Sequence, residues 1–362
     1  MIIFRFALRE LIHQFRLVFF MVLAVGIPLM SFFTIEAYHA GLVARYSGDD
    51  RNFLVVQLSG SFGEIVGSRL PAQVGADLRS AGASVVIPEI HAIVGSSSEN
   101  AVMLRGIPLE TYSSFENYKL VTGRALIEGD QPRLAMIGSR LAGLRKLICG
   151  DTIQIRGRDF KIVGVFDADT YAGNEAWISL PDAQALLGWG ADVSTYLIPD
   201  GETFKEGDTL PGGISIVKKG ASGAALLAEW QPVFNLLLVV TSTLGVAAAV
   251  GLASILWRLA WLQRREMAIL RSIGFGKASM VVYLFAQGAA ISLLGFLVAG
   301  LGSLAIGLLT EFNASGVSIN AVTNASVILS SLIFATCITL VGSFVPAWWL
   351  NRLNLVELLK SK

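Results

Sequence analysis

Charge is scarce in this sequence. Only 15% of its 362 residues are Asp, Glu, Lys or Arg, where a soluble chain carries about a quarter, and 54% are hydrophobic. That balance excludes an ordinary soluble protein and places the chain in a membrane. A strong charge of either sign is also missing. The formal net charge is +1, so nothing global points to a nucleic-acid partner, and none is expected. Histidine is down to His13, His39 and His91 in three different regions. That excludes a shared metal site without large rearrangement and leaves surface or packing roles. Of the two cysteines, Cys149 is expected outside the membrane and Cys337 within it, which argues against a disulfide between them.

Catalytic and nucleotide motifs are lacking too. The stretch "GFGKAS" falls short of the phosphate-binding pattern G-x-x-x-x-G-K-[ST] twice, because Arg271 stands where the first Gly belongs and Ala278 where Ser or Thr belongs. No G-x-S-x-G turn is present, so Ser139 in "MIGSRLAG" is expected to cap the following helix.

Long hydrophobic runs are what the sequence does have. Charge-free stretches at 17–35, 231–257 and 278–310, and a fourth within 312–350, meet the requirement of about 20 apolar residues for crossing a hydrocarbon core. The first exceeds the about 7–15 residues of a signal-peptide core, and the following "EAYHAG" lacks a good A-x-A site, which argues against cleavage. The third is longer than a span needs, so part of it is expected to tilt, kink or project. Its glycines Gly288, Gly295, Gly300, Gly302 and Gly307 imply close helix packing or bends. No Asp, Glu, Lys, Arg or His lies at a span centre, which argues against an ion-coupled transporter. Gln231, Asn235 and Gln287 are expected to hydrogen-bond between helices.

Basic residues near the span ends set an orientation, since short loops rich in Lys and Arg stay in the cytoplasm. Arg5, Arg9 and Arg16 precede the first run, and Arg258, Arg264, Arg265, Arg271 and Lys277 separate the second and third. Arg352, Lys360 and Lys362 follow the fourth, whereas the loop before it holds Glu311 and no Lys or Arg. The expected layout is a cytoplasmic amphipathic helix at 1–16, spans at 17–36, 231–258, 278–309 and 325–348, and an outward domain with a stalk at 37–230. A cytoplasmic connection at 259–277, an outer polar turn at 310–324 and a cytoplasmic tail at 349–362 complete it.

The outward segment is long enough to bury its own core. "FLVVQL", "SVVIP" and "AVMLRG" read as strands, and "DTIQIRGRDFKIVGVF" as a hairpin with Ile153, Ile155, Phe160, Ile162 and Val165 on its apolar side. Helical stretches near "PAQVGADLRSAG" and "PDAQALLG" make the domain α+β. "EAYHAGLVARY" and "ASGAALLAEWQPV" keep helical spacing, so the first two spans are expected to continue outward as a two-helix stalk.

The connection "WLQRREMAILRSIGFGKAS" places charge between two apolar runs. Met267, Ile269, Leu270 and Ile273 form an apolar stripe flanked by Arg264, Arg265 and Arg271, as for a short helix lying on the cytoplasmic membrane surface. Gly274 and Gly276 are placed to end it before the third span.

"QRREMAILRSIGFGKASMVVYLFAQGAAISLLG" resembles the block that leads into the third span of FtsX/MacB-type permeases, the membrane subunits of type VII ABC transporters. "PAWWLNRLNLVELLK" is similar to the family's ending, with Leu355 where proline is usual. "VTGRALIEGDQPRLAMIGSRLA", "GDTIQIRGRDFKIVGVF" and "ISLPDAQALLG" resemble its MacB-like periplasmic core domain. The resemblance implies an α-helical membrane protein of four transmembrane helices with a large extracytoplasmic α+β domain between helices 1 and 2. It implies a multi-pass protein of the bacterial inner membrane with both termini cytoplasmic. It also implies a coupling helix in which Arg264, Arg265, Glu266 and Arg271 make polar contacts with an ATPase, while Met267, Ile269 and Leu270 supply the apolar face. The chain itself is expected to be no enzyme and to bind no cofactor, with ATP and Mg2+ held by the partner ATPase subunit.

A second permease copy, identical or paralogous, and membrane lipid are the other implied partners, with a periplasmic adaptor left open. The implied function is ATP-driven efflux or extraction of a hydrophobic or lipid-associated substrate. The alternative is an FtsX-like regulator of an extracytoplasmic partner such as a cell-wall hydrolase. A membrane-tethered enzyme is disfavoured by the missing catalytic constellation.

Overall fold

The computed structural model describes residues 14–46, 53–96, 101–110, 112, 116–168, 170–201, 203–263, 265–266, 269, 272–310, 312–314 and 317–352. The chain divides into two compact units. One is helical and comprises Met1–Ala40, Pro232–Thr310 and Ala321–Lys362; the other is α+β and comprises Gly41–Gln231 and Glu311–Asn320.

In chain order the described elements begin with helix α1 (Phe15–Tyr46), strand β1 (Phe53–Leu58), α2 (Ala72–Ser80), β2 (Ile87–Val94), β3 (Val102–Ile107), β4 (Lys119–Gly123) and β5 (Leu134–Gly138). Next come α3 (Ser139–Arg145), β6 (Thr152–Ile155), β7 (Arg158–Asp167), β8 (Glu175–Ser179), α4 (Leu180–Leu187), β9 (Thr195–Pro199), β10 (Thr209–Leu210) and β11 (Ile214–Lys218). The last are α5 (Ala221–Leu262), α6 (Lys277–Leu309), β12 (Phe312–Ala314), β13 (Val317–Ile319) and α7 (Ala325–Arg352).

Among the described residues four helices, α1, α5, α6 and α7, are long and apolar enough to cross a membrane. Pro28, Pro232 and Pro346 lie inside three of them, a placement that membrane helices tolerate because neighbouring groups take up the freed carbonyls. In the helical unit one cluster joins Met21, Val25 and Leu29 of α1 to Leu252 and Leu256 of α5, Ile291 of α6 and Ile338 of α7. Small residues permit the approach: a Cβ on Gly295 of α6 would lie 3.3 Å from the Gly26 nitrogen of α1. The fit is tighter elsewhere: a Cβ on Gly288 would run into the Ser343 hydroxyl of α7, and one on Gly302 into the Met30 sulfur of α1. Gln287 donates to the Tyr283 hydroxyl at 3.0 Å, and that hydroxyl donates to Gln263 at 2.9 Å, so the polar contact runs between α6 and the residue after α5.

In the α+β unit the strands form one hydrogen-bonded path in the order β10-β11-β1-β9-β2-β3-β8-β5-β7-β4, with β6 paired to β7. Strand β2 joins the two halves of that path. Its Ile87–Glu89 stretch pairs with β9 and its Ile90–Val94 stretch pairs with β3. One core lies on the face of Ile90, Leu104, Ala176 and Ile178, covered by α2, α3 and α4. A second, aromatic core around Trp177, Phe166 and Tyr112 lies on the opposite face.

Strand β6 returns as β7 through Arg156 and Gly157, both with positive φ, the backbone of a two-residue type I′ hairpin turn. The apolar spacing then jumps from Ile162 to Val165 because a bulge at Val163 shifts the β5–β7 register.

Three expectations are corrected. Residues 84–86 of "SVVIP" precede the strand, which starts at Ile87. The α3 N-cap is Gly138, and Ser139 donates its hydroxyl to Asp167 at 2.7 Å instead of capping. The polar turn before α7 contains the β12–β13 hairpin.

Candidate functional site

Between α5 and α6, residues 265, 266, 269 and 272 are helical and the Ile273 N–H bonds the Ile269 carbonyl at 3.1 Å. Arg265 and Glu266 are exposed, and Ile269 and Ile273 remain 47% and 70% exposed. One helical turn therefore presents two isoleucines, four residues apart, that the chain does not bury. Gly274 turns at φ +106°, in the left-handed region, and Gly276 is the N-cap of α6. Arg264, Met267, Leu270 and Arg271 lie outside the described residues. At the ends of the flanking helices, the Trp257 and Trp349 rings lie 4.5 Å apart, tying α5 to α7.

A second constellation lies in the α+β unit, and sequence reasoning missed it. Arg105 of β3 is 3% exposed, inside a strand buried at every position. Its Nε lies 3.0 Å from Glu175 of β8, and its Nη1 lies 3.3 Å from Glu116 and donates to the Tyr112 hydroxyl at 3.1 Å. Lys219, just after β11, donates to Glu116 at 3.0 Å, and the Trp177 indole N–H donates to Glu175 at 2.7 Å. Strand register explains the grouping: His91 stands opposite Arg105, and Arg105 opposite Trp177, so one row crosses β2, β3 and β8 on one face. His91 Nε2 and Glu89 lie 3.0 Å apart within this row. His91 is thus a buried, paired histidine.

Helix ends meet this layer. The Glu64 carboxylate, in the loop after β1, accepts the Gly220 N–H at 2.9 and 3.2 Å, directly before α5. Tyr46, the last residue of α1, stacks on Tyr171 at 5.7 Å, and the Arg105 guanidinium lies 6.0 Å from the Tyr171 ring. The enclosed space among Tyr46, Glu64, Arg105, Glu116, Tyr171 and Lys219 is about 20 Å3, enough for a single water and no substrate.

The electrostatics follow from burial and pairing. Burial pushes the Glu64 carboxyl above the ordinary carboxylate range, against the opposing pull of His91, the Gly220 N–H and Lys219. Burial also acts to raise Glu89, yet the His91 hydrogen bond and the Arg105 charge hold it at about 2. Burial works against the Arg105 charge, and Glu175, Tyr112 and Glu116 outweigh it, holding that group well above its ordinary value. The arrangement is a buried ionic layer that fixes geometry, although Arg105 Nε and His91 Nδ1 make no hydrogen bond. It presents no open position for substrate, and no group of metal-holding side chains occurs among the described residues.

The signal in the sequence was a charge built into an apolar strand: Arg105 in "VMLRGI", Glu89 in "IPEIHAIV" and Glu175 at the start of "EAWIS". Inward charges of this kind demand partners.

The chain matches the model of the MacB-like periplasmic core domain over residues 18–229 and that of the FtsX-like permease C-terminal domain over residues 237–355. It belongs to the FtsX/MacB-type permeases. The permease is a multi-pass membrane protein, a component of ABC-type systems, whose α+β unit is the MacB-like periplasmic core.

Among solved structures the permease is similar to the periplasmic region of MacB from Actinobacillus actinomycetemcomitans, at 16% identity over 48% of this chain and 92% of that one, with a TM-score of 0.35. A domain described as that of a permease protein from Porphyromonas gingivalis is 11% identical over 42% of this chain and 73% of that one, with a TM-score of 0.27. At such scores membership rests on the two family models and not on structural likeness. No curated protein matches the chain.

Proposed function

We propose that this permease transmits ATP-driven motion from a separate ATPase subunit to its extracytoplasmic domain, for efflux or extraction of a hydrophobic or lipid-associated substrate. The observation that carries this reading is the helical turn between α5 and α6, where Ile269 and Ile273 are 47% and 70% exposed beside exposed Arg265 and Glu266. Two apolar anchors one turn apart with a charged rim are what a helix offers to a groove on a partner. The surrounding arginines favour the cytoplasmic side, where an ATPase holding ATP and Mg2+ is available. Both termini then lie in the cytoplasm.

Helices α1 and α5 each contribute residues to both units, and their ends are held in the α+β unit by the Tyr46–Tyr171 stack and the Glu64–Gly220 hydrogen bonds. A push on the connection is thereby delivered to the ionic layer around Arg105. A second permease copy completes the machine, as its exposed apolar helices allow.

The test is copurification of the full chain with its ATPase. Replacing Ile269 and Ile273 together with Asp should cut the recovered ATPase at least tenfold while leaving membrane insertion intact. Alanine at Arg264, Arg265 and Leu270 should weaken it further. Unchanged recovery would remove the docking assignment.

A further inference from the structure

One register step from the ionic layer, the same face of the sheet turns apolar. Ile93 of β2 stands opposite Met103 of β3, and side chains two residues apart share a face, so these two continue the row of His91 and Arg105. Together they line a cavity of about 190 Å3 in the α+β unit. Leu42 and Tyr46 of α1, and Leu226 and Trp230 of α5, line it from the two helices. The loop residues Phe62, Ile65 and the partly exposed Val66, and the β13 residue Ile319, only 5% exposed, complete it.

The lining decides the occupant. Apart from the Tyr46 hydroxyl and the Trp230 indole it is hydrocarbon or thioether, and a water needs about two to four polar partners to be held. A void of this size left empty forfeits contacts in a close-packed interior. It exceeds the engineered cavity of about 150 Å3 that accepts benzene, yet falls short of the roughly 300–1,000 Å3 that holds a whole small molecule. The fit is to one end of a larger ligand.

No residue lining the cavity is cationic, and Arg105 and Lys219 are engaged with Glu116. A free fatty acid would bring a carboxylate with no partner, so the polar end of the ligand stays outside. Trp230 directly precedes the charge-free run at 231–257, and tryptophan is a residue type that settles at headgroup level.

We infer that this cavity takes one acyl chain of a membrane glycerolipid lifted partly out of the outer leaflet. The inference deepens the extraction reading proposed above and rests on it for the side of the membrane.

The experiment uses the full chain in phosphatidylethanolamine–phosphatidylglycerol nanodiscs doped with a phospholipid that carries a diazirine near the end of one acyl chain. After irradiation, adducts are located by peptide mass spectrometry. Adducts are expected on the segments holding Ile93, Met103 and Leu226. Leu226→Trp and, separately, Ile93→Phe fill the space and should each reduce those adducts at least fivefold, while adducts at the exposed Leu301 of α6 persist. Wild-type protein without adducts on β2 or β3, or adducts undiminished in both variants, overturns the proposal. Labelling by diazirine-palmitic acid but not by the phospholipid overturns the glycerolipid assignment. Copurification of the ATPase with the same samples separates the two readings. ATPase retained without cavity adducts rejects this inference alone; cavity adducts without ATPase reject the transporter reading and keep the cavity.

Discussion

Arg105 shows what a single buried charge demands. Its guanidinium satisfies Glu116, Glu175 and Tyr112 at once, so its removal leaves two carboxylates in the interior with Lys219 as their remaining cation. Arg105→Met should cost about 3–5 kcal/mol, the range for breaking a buried pair from one side. This corresponds to a fall of roughly 10 °C in the apparent unfolding temperature of the purified chain in micelles. A midpoint that does not move would show that the acids do not need this cation. Glu89 gives a pH dependence with a definite sign. Its folded pKa of about 2 lies below the ordinary 4.5, so its stabilisation is complete above pH 4.5 and is lost as pH falls toward 2. Glu64, raised by burial, acts oppositely: its contribution is complete below pH 4.5 and is lost as pH rises from there. Glu89→Gln should therefore cost about 3 kcal/mol at pH 7, and the gap to wild type should narrow as pH drops below 4.5. Unfolding temperatures measured between pH 7 and pH 3 check this, and a constant gap would contradict it.

At the scale of elements, packing is set by where small residues fall. Gly26 and Gly295 bring the backbones of α1 and α6 together, and an added Cβ would need its neighbour to give only a few tenths of an ångström. Gly295→Ala should be nearly neutral, whereas Gly295→Leu should lower stability by about 1–3 kcal/mol by forcing the helices apart. Thermal unfolding of both variants in micelles tests it; equal losses would mean that helix approach is not the limiting quantity. In the α+β unit Gly138 plays a harder version of the same part, because a Cβ there would run into the Gly173 carbonyl. The β6–β7 hairpin is set locally instead. Arg156 and Gly157 at positive φ fix its register, and the bulge at Val163 turns the strand so that Ile162 and Val165 are both buried.

For the whole molecule, the decisive prediction is the side on which the α5–α6 connection lies. A cysteine at Ile273, which is 70% exposed, should react with a membrane-impermeant maleimide only after cells are opened. Labelling of intact cells would place the connection outside and dissolve the link to an ATPase. The four apolar runs, the inserted domain and a polar α5–α6 connection with exposed Arg265, Glu266, Ile269 and Ile273 were legible because each is written in consecutive residues: hydrophobic length, a change of texture, and charge beside apolar side chains. The order of the sheet was not legible. Strand β1 pairs with β9 and β11, and β3 pairs in parallel with β8, partners far away in sequence that no local pattern names. By itself the sequence determined that this chain is a membrane protein with one large outward-type domain, since hydrophobic burial and charge placement are properties of short segments. Only the tertiary structure decided that Glu64, Glu89, Arg105, Glu116, Glu175 and Lys219 form one layer beside an apolar cavity, because a buried charge is stable only once the fold has delivered its partners from distant strands.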